Sequence, residues 1–257
     1  MVAPVEDEAL RAQVSSLLDQ FHTRRVQVLD SLELRKVLRR KNPFLYRAIG
    51  ADEPTEIVGS LLDASISSSD ETLFGNIFFE PLALWVASEA HRDDPSVSVR
   101  ASSAAGVDIE IETEKRVSLY AVKSGTAVFN SQSSKKQLEE FRAARSRLFK
   151  TQKQFDGVIA YSYGKKRARE GEVRALAGQD FWDEISGETE FYLRVIRAMG
   201  LGAARRELSF RAAYQSAVQR FSTELLMNFS GDDGGLDWEK LLRYNSGSGQ
   251  TAFAWRS

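Results

Sequence analysis

Asp108 and Lys123 stand in two stretches, GVDIEIET (106–113) and VSLYAVKSG (117–125), separated by Glu114-Lys115. In the first stretch Val107, Ile109 and Ile111 alternate with Asp108, Glu110 and Glu112, the period of a strand. Folding the two about Glu114-Lys115 sets Asp108 opposite Ala121, Glu110 opposite Leu119 and Gly106 opposite Lys123. Directly paired residues share a face of a sheet, so Asp108 and Lys123 project together from neighbouring rungs. A carboxylate and an amine so placed, close to basic helices, suit metal-assisted cleavage of a phosphodiester. The carboxylate holds Mg²⁺, and the amine steadies the scissile phosphate or the attacking water. The same pair also makes an ordinary cross-strand salt bridge, and spacing alone leaves both open.

The elements around the hairpin are legible from periodicity. Residues 6–41 carry a helical stripe through Leu10, Val14, Leu17, Leu18 and Phe21, then Val26, Leu29, Leu32 and Leu34, and Asn42-Pro43 is expected to stop it. Thr55 to Ala64 reads as a short helix. Ser68 and Glu71 have capping-box spacing, so a new helix is expected over 71–90, kinked at Pro81. Residues 97–100 fit a short strand, 132–150 a charged amphipathic helix, and DGVIAYSYG (156–164) a buried strand. This order of helix, strand, hairpin, helix and strand is an α/β core with helices added at both ends. The divisions expected along the chain are 1–54, 55–200 and 201–257, with a Gly/Ser-rich, partly loose tail from Ser230.

Composition removes several classes. The chain has 257 residues, 42% of them apolar, enough to bury a full core. There is no cysteine, which excludes disulfides, thiolate metal sites and cysteine nucleophiles, and fits a cytoplasmic protein. With only His22 and His91, a multi-histidine centre cannot be built, so any metal is a hard cation on oxygen ligands. No apolar run of about eighteen residues suggests a membrane helix, and the acidic N-terminus lacks signal-peptide order.

The net charge of −1 hides a segregation. Residues 35–47 hold six cations and no acid. Residues 135–153 hold Lys135, Lys136, Arg142, Arg145, Arg147, Lys150 and Lys153 against Glu139 and Glu140, and Lys165, Lys166, Arg167 and Arg169 form a third cluster. Such surfaces bind a polyanion such as DNA even on a neutral protein; each cluster alone also reads as a solvated helix face.

Asp-x14-Lys, with the lysine in Val122-Lys123-Ser124-Gly125, resembles the PD-(D/E)xK nuclease core. The sequence departs from that motif at Ala121, where the family carries an acid two residues before the lysine. The resemblance implies that a neighbouring element supplies it. Glu80, in FFEPLALW, is the first candidate and Glu110 the second. Gln137 with Phe141 resembles a Q-x-x-x-Y element found beside the metal in some branches. The stretches KNPFLYRA (41–48), LLDASISSSDETLFGNIFFEPLALW (61–85), YAVKSGTAVFNSQSSKKQLEEF (120–141) and GQDFWDEISGE (178–188) are similar to the PmeII-type family of Type II restriction endonucleases.

That resemblance implies a PD-(D/E)xK core, a mixed central sheet flanked by helices. It implies Asp108, Lys123 and Glu80 as catalytic residues, with Mg²⁺ held by Asp108, Glu80 and the carbonyl of Val122. Ser124, Asn130, Ser131 and Gln132 lie just past the lysine, where they reach phosphates or simply cap a turn and a helix. Lys135, Lys136, Lys165 and Lys166 are the expected DNA-facing cations. The implied activity is hydrolysis of duplex DNA at a short specific site by a homodimer, within a restriction-modification system. A repair or modified-DNA nuclease on the same core, or a DNA-binding relative without catalysis, are the alternatives.

Overall fold

The structure, a computed structural model, describes residues 2–51, 53–126, 131–148, 152–171, 173–200, 202–232, 235–248, 253 and 255. The chain groups into two compact units, one of residues 1–21 and 71–203 and one of residues 22–70 and 204–257.

The first unit is built on a six-stranded sheet. Its strands are β1 (Ser98–Ala101), β2 (Ile109–Glu112), β3 (Arg116–Lys123), β4 (Gln154–Tyr161), β5 (Arg167–Glu170) and β6 (Val173–Ala177). They lie in the order β1-β2-β3-β4-β6-β5. The β3–β4 and β4–β6 pairs are parallel and the others antiparallel, so the sheet is mixed. Parallel strands covered on both faces need apolar residues at nearly every position, which is why β3 and β4 read as continuous hydrophobic runs. Along β3 the two faces separate. Tyr120 and Val122 join one core layer with Phe78, Leu82 and Phe181, while Val117, Leu119 and Ala121 join a second layer with Phe141 and Ala144. The first layer belongs to the start of α1 (Asp7–Ser31), to α5 (Glu80–Ala90), and to α7 (Gln179–Ser186) and α8 (Phe191–Met199); the second belongs to α6 (Ser131–Leu148).

The hairpin has the register expected from its turn. Glu110 faces Leu119 and Ile109 faces Tyr120, and one rung further the Asp108 N–H donates to the Tyr120 carbonyl at 2.8 Å. The alternation is shorter than expected, because β2 begins at Ile109 and Val107 packs in the α6 layer instead of beside Ile109. Strands β5 and β6 have no counterpart among the expected elements. Their sequence, RAREGEVRALA, is too charged to read as strand, yet β6 pairs along β4 in full register.

Three helix expectations are corrected. The stretch over 6–41 breaks at Glu33, which is extended, leaving α1 and the short α2 (Leu34–Leu38). That stretch ends at Leu38, short of the stop expected at Asn42, and Asn42 instead starts α3 (Pro43–Ala48), its Oδ1 accepting from the Phe44 N–H. The Ser68–Glu71 box does not open a helix. It lies inside α4 (Pro54–Phe74), where Ser65 and Ser69 donate to the carbonyls four residues back, so the serine-rich run continues the helix. Between α4 and α5 the chain makes a π-helical turn, Gly75–Phe79, and Pro81 follows just after it, so the missing N–H falls where the α-type pairing is already shifted.

The second unit is helical. Leu34, Leu38, Ile57, Leu61 and Leu62 pack with Phe210, Phe221, Leu225 and Phe229 of α9 (Ala203–Phe229) and Leu241 of α10 (Trp238–Ser246). The tail expected to be partly loose thus carries one more helix. Phe44 and Leu45 of α3 and its C-cap Ile49 are exposed.

Candidate active site

Asp108 is aimed by a bend in the chain. Gly106, at φ +70°, turns it before β2, a conformation that favours glycine, and a Cβ there would also lie 1.8 Å from the Glu140 carboxylate and displace it. The buried Gln137 side chain donates from Nε2 to the Gly106 carbonyl at 2.7 Å and ties the bend to α6. Because the strand has bent away, the Val122 N–H is met by a side chain, Asp108 Oδ2, at 2.7 Å. The same oxygen lies 3.7 Å from Lys123 Nζ, and both side chains keep about a quarter of their surface exposed. Asp108, Val122 and Lys123 therefore meet at one point, at the carboxyl end of β3.

Glu80 is the first residue of α5, near enough to this point to feel the charges of Asp108 and Lys123. Its carboxyl is half-buried and pushed up to about 7, first by burial and then by the negative charge of Asp108, with Lys123 opposing. Among the described residues no side chain or backbone group hydrogen-bonds that carboxylate. Two carboxylates thus share a site with a single ammonium.

Glu110 sits elsewhere in the electrostatics. It is buried and paired with Arg100 at 2.5 Å, and Arg100 also holds Glu112 at 2.8 Å. Its carboxylate is committed to that network along β1 and β2. Ala121, at the position where the family motif has an acid, is fully buried in the layer with Phe141, so a carboxylate there would be stripped of water.

The polar residues after the lysine divide. Ser124 Oγ donates to the Glu71 carbonyl at 3.3 Å. Asn130 lies outside the described residues, as does the side chain of Ser131. Gln132, Lys135 and Lys136 are exposed on the first turns of α6. Lys165 and Lys166 are exposed on the β4–β5 connection, which begins beside the site where the Tyr163 N–H donates to the Ser124 carbonyl at 3.2 Å.

Two features escaped the sequence reading. One is the close approach of Gly75 to Ser124, described below. The other is the tyrosine over Gly125: a Cβ at Gly125 would fall 2.3 Å from the Tyr163 ring. A glycine directly after Lys123-Ser124 was the available signal. A buried network away from the site was missed too. Asp156 is held below its usual range although burial alone would raise it, because Arg174 and Arg116 both bond to it.

A mixed sheet flanked by helices, with an acid and a lysine meeting at the end of a central strand, is the restriction-endonuclease-like α/β fold. A family model described as Type II restriction endonuclease EcoO109I matches residues 8–207, most of the chain. The protein belongs to that family and is a site-specific DNA endonuclease. No curated protein matches the chain. Among the described residues no helix is long and apolar enough to cross a membrane.

Proposed function

We propose that the protein hydrolyses one phosphodiester in each strand of a short duplex site, with Mg²⁺ held by Asp108, Glu80 and the Val122 carbonyl. The observation that carries this is the Glu80 carboxyl, which rises to about 7 beside Asp108 with no compensating hydrogen bond. Two carboxylates and a peptide carbonyl are oxygen donors only, the set a hard cation takes. Among the described residues no group of three or more acids, histidines or cysteines surrounds a point. Such a sparse set matches Mg²⁺, which keeps several waters and shares phosphate oxygens with its substrate. When bound, the ion supplies an activated water and neutralises charge developing on the phosphate.

Lys123 brings an ammonium to the same point, where it steadies the scissile phosphate or the attacking water. The Asp108 carboxylate is held in place by the Val122 N–H, which donates to its Oδ2. Lys135, Lys136, Lys165 and Lys166 take the flanking backbone phosphates. A twofold-symmetric site calls for a homodimer. Within the restriction enzymes, the stretches at 41–48, 61–85, 120–141 and 178–188 support kinship with the PmeII-type branch.

The test is cleavage of a duplex carrying the recognised site by Asp108→Ala and Lys123→Ala proteins. Both are expected to bind that duplex and to cut it at least about a hundredfold more slowly than wild type. EDTA is expected to stop the wild-type protein, and Mg²⁺ or Mn²⁺ to restart it. Either variant cutting near the wild-type rate, or activity that persists in EDTA, overturns the assignment.

A further inference from the structure

We propose that Gly75 and Ser124 form the positioning contact that turns Glu80 toward Asp108, acting through the π-helical turn that separates Gly75 from Glu80. The proposal rests on the reading of Glu80 as a metal-holding residue.

The backbone shows how. The Glu80 N–H donates to the Gly75 carbonyl, five residues back, where an uninterrupted α-helix would use Asn76. That extra residue rotates everything after it by about 100° relative to a continuous α-helix. Without the turn, Glu80 would face another side of the helix and would not share a site with Asp108 and Lys123. Pro81 follows at once and has no N–H, so it cannot restore α-type pairing with residue 77. The turn is anchored on the sheet by aromatic packing. Phe78 is fully buried and stacks on Phe74 at 4.6 Å, and Phe79 meets Phe74 edge-on at 4.9 Å.

The start of the turn is tied to the lysine strand. Ser124, the residue after Lys123, donates its hydroxyl to the Glu71 carbonyl. A Cβ on Gly75 would lie 2.8 Å from that Oγ, the one close approach from outside its own helix among the described residues. Glycine at position 75 is therefore what allows Ser124 to reach the helix. The backbone of Ser124 is itself held by the Tyr163 N–H. One serine thus couples the end of β3, which carries Lys123, to the turn that aims Glu80.

Three variants test the coupling: Gly75→Ala, Ser124→Ala and the double. Each is assayed for the Mg²⁺ concentration giving half-maximal cleavage, for KM on duplex DNA, and for Mg²⁺ binding alone by calorimetry. Gly75→Ala is expected to raise the Mg²⁺ requirement and lower kcat by about ten- to a hundredfold, as loss of a ligand-orienting partner does. KM for DNA should stay within about twofold, since such a change leaves the phosphate contacts in place. Ser124→Ala alone loses the tie but leaves room, so its Mg²⁺ requirement should rise only severalfold. The double variant has space for the new methyl and should recover to the level of Ser124→Ala. Should Gly75→Ala not fold, Ser124→Ala carries the test by itself.

A wild-type Mg²⁺ response in Gly75→Ala or Ser124→Ala overturns the proposal. So does a double variant as impaired as Gly75→Ala. A Ser124→Ala protein that binds DNA more weakly at an unchanged Mg²⁺ response makes Ser124 a phosphate contact instead. Failure of the underlying reading looks different: there Glu80→Gln itself leaves Mg²⁺ binding unaltered.

Discussion

Replacing Glu80 by glutamine removes a charge while keeping the shape of the side chain, and the site predicts opposite effects on stability and on activity. The Glu80 carboxyl rises from an ordinary 4.5 to about 7, because burial and the Asp108 carboxylate both disfavour its ionised form. A carboxyl whose pKa is higher folded than unfolded binds more protons in the native state between those values. Its contribution to stability is complete below about 4.5 and is lost as pH rises through about 7. Converted in full, the shift would correspond to about 3 kcal/mol lost by pH 8; partial solvent exposure reduces this to about 1–2 kcal/mol. In metal-free buffer at pH 8, Glu80→Gln should therefore be more stable than wild type by about 1–2 kcal/mol, a difference that disappears near pH 4.5. Urea melts in EDTA at pH 5 and pH 8, analysed at a common m-value, measure it. Added Mg²⁺ should stabilise the wild type and leave Glu80→Gln nearly unmoved, because only a form that binds the ion gains from it. A Glu80→Gln protein less stable than wild type at pH 8, or a difference that ignores pH, refutes the reasoning about this carboxyl.

Two other sites give independent tests. Gly106→Ala forces a Cβ onto the Glu140 carboxylate at a left-handed φ, so thermal unfolding should show a loss of about 1–2 kcal/mol and cleavage should fall with it. Asp156 is held low by Arg174 and Arg116, so its stabilisation is present above about 3.9 and lost as pH falls further. Asp156→Asn should lower stability at neutral pH by about 3 kcal/mol and flatten the acid limb of the stability curve, which pH-dependent melts would detect.

Much of the site's geometry was legible because hairpin register follows from the turn. Centring the fold on Glu114-Lys115 fixes Glu110 against Leu119, and the structure has that pair and extends the ladder to Asp108. The same reasoning missed the end of the alternation. Gly106 bends the chain there, so Asp108 turns its carboxylate back to the Val122 N–H, while Glu110 on the regular strand meets Arg100. The helix boundaries failed for a local reason. Ser68 has the spacing of a cap, but a serine hydroxyl also satisfies itself on the carbonyl four residues back, as its neighbours Ser65 and Ser69 do, and the helix runs through. The π-helical turn at Gly75–Phe79 has no periodic signature at all, and the residue that meets its start, Ser124, lies far along the chain. Strand β6 was hidden because Arg174, its second residue, is charged and meets its acids only in three dimensions.

The central claim is that Asp108 and Glu80, from different elements, complete one site with Lys123. It is tested most directly by measuring single-turnover cleavage by Glu80→Gln and Glu110→Gln side by side, at saturating protein and fixed Mg²⁺. Glu110 is occupied by Arg100, so Glu110→Gln should cut within a few-fold of wild type if it folds, while Glu80→Gln should be slower by at least about a hundredfold, with partial rescue at high Mn²⁺. A Glu80→Gln protein that cuts normally while Glu110→Gln is dead would place the second acid on the hairpin and contradict the account.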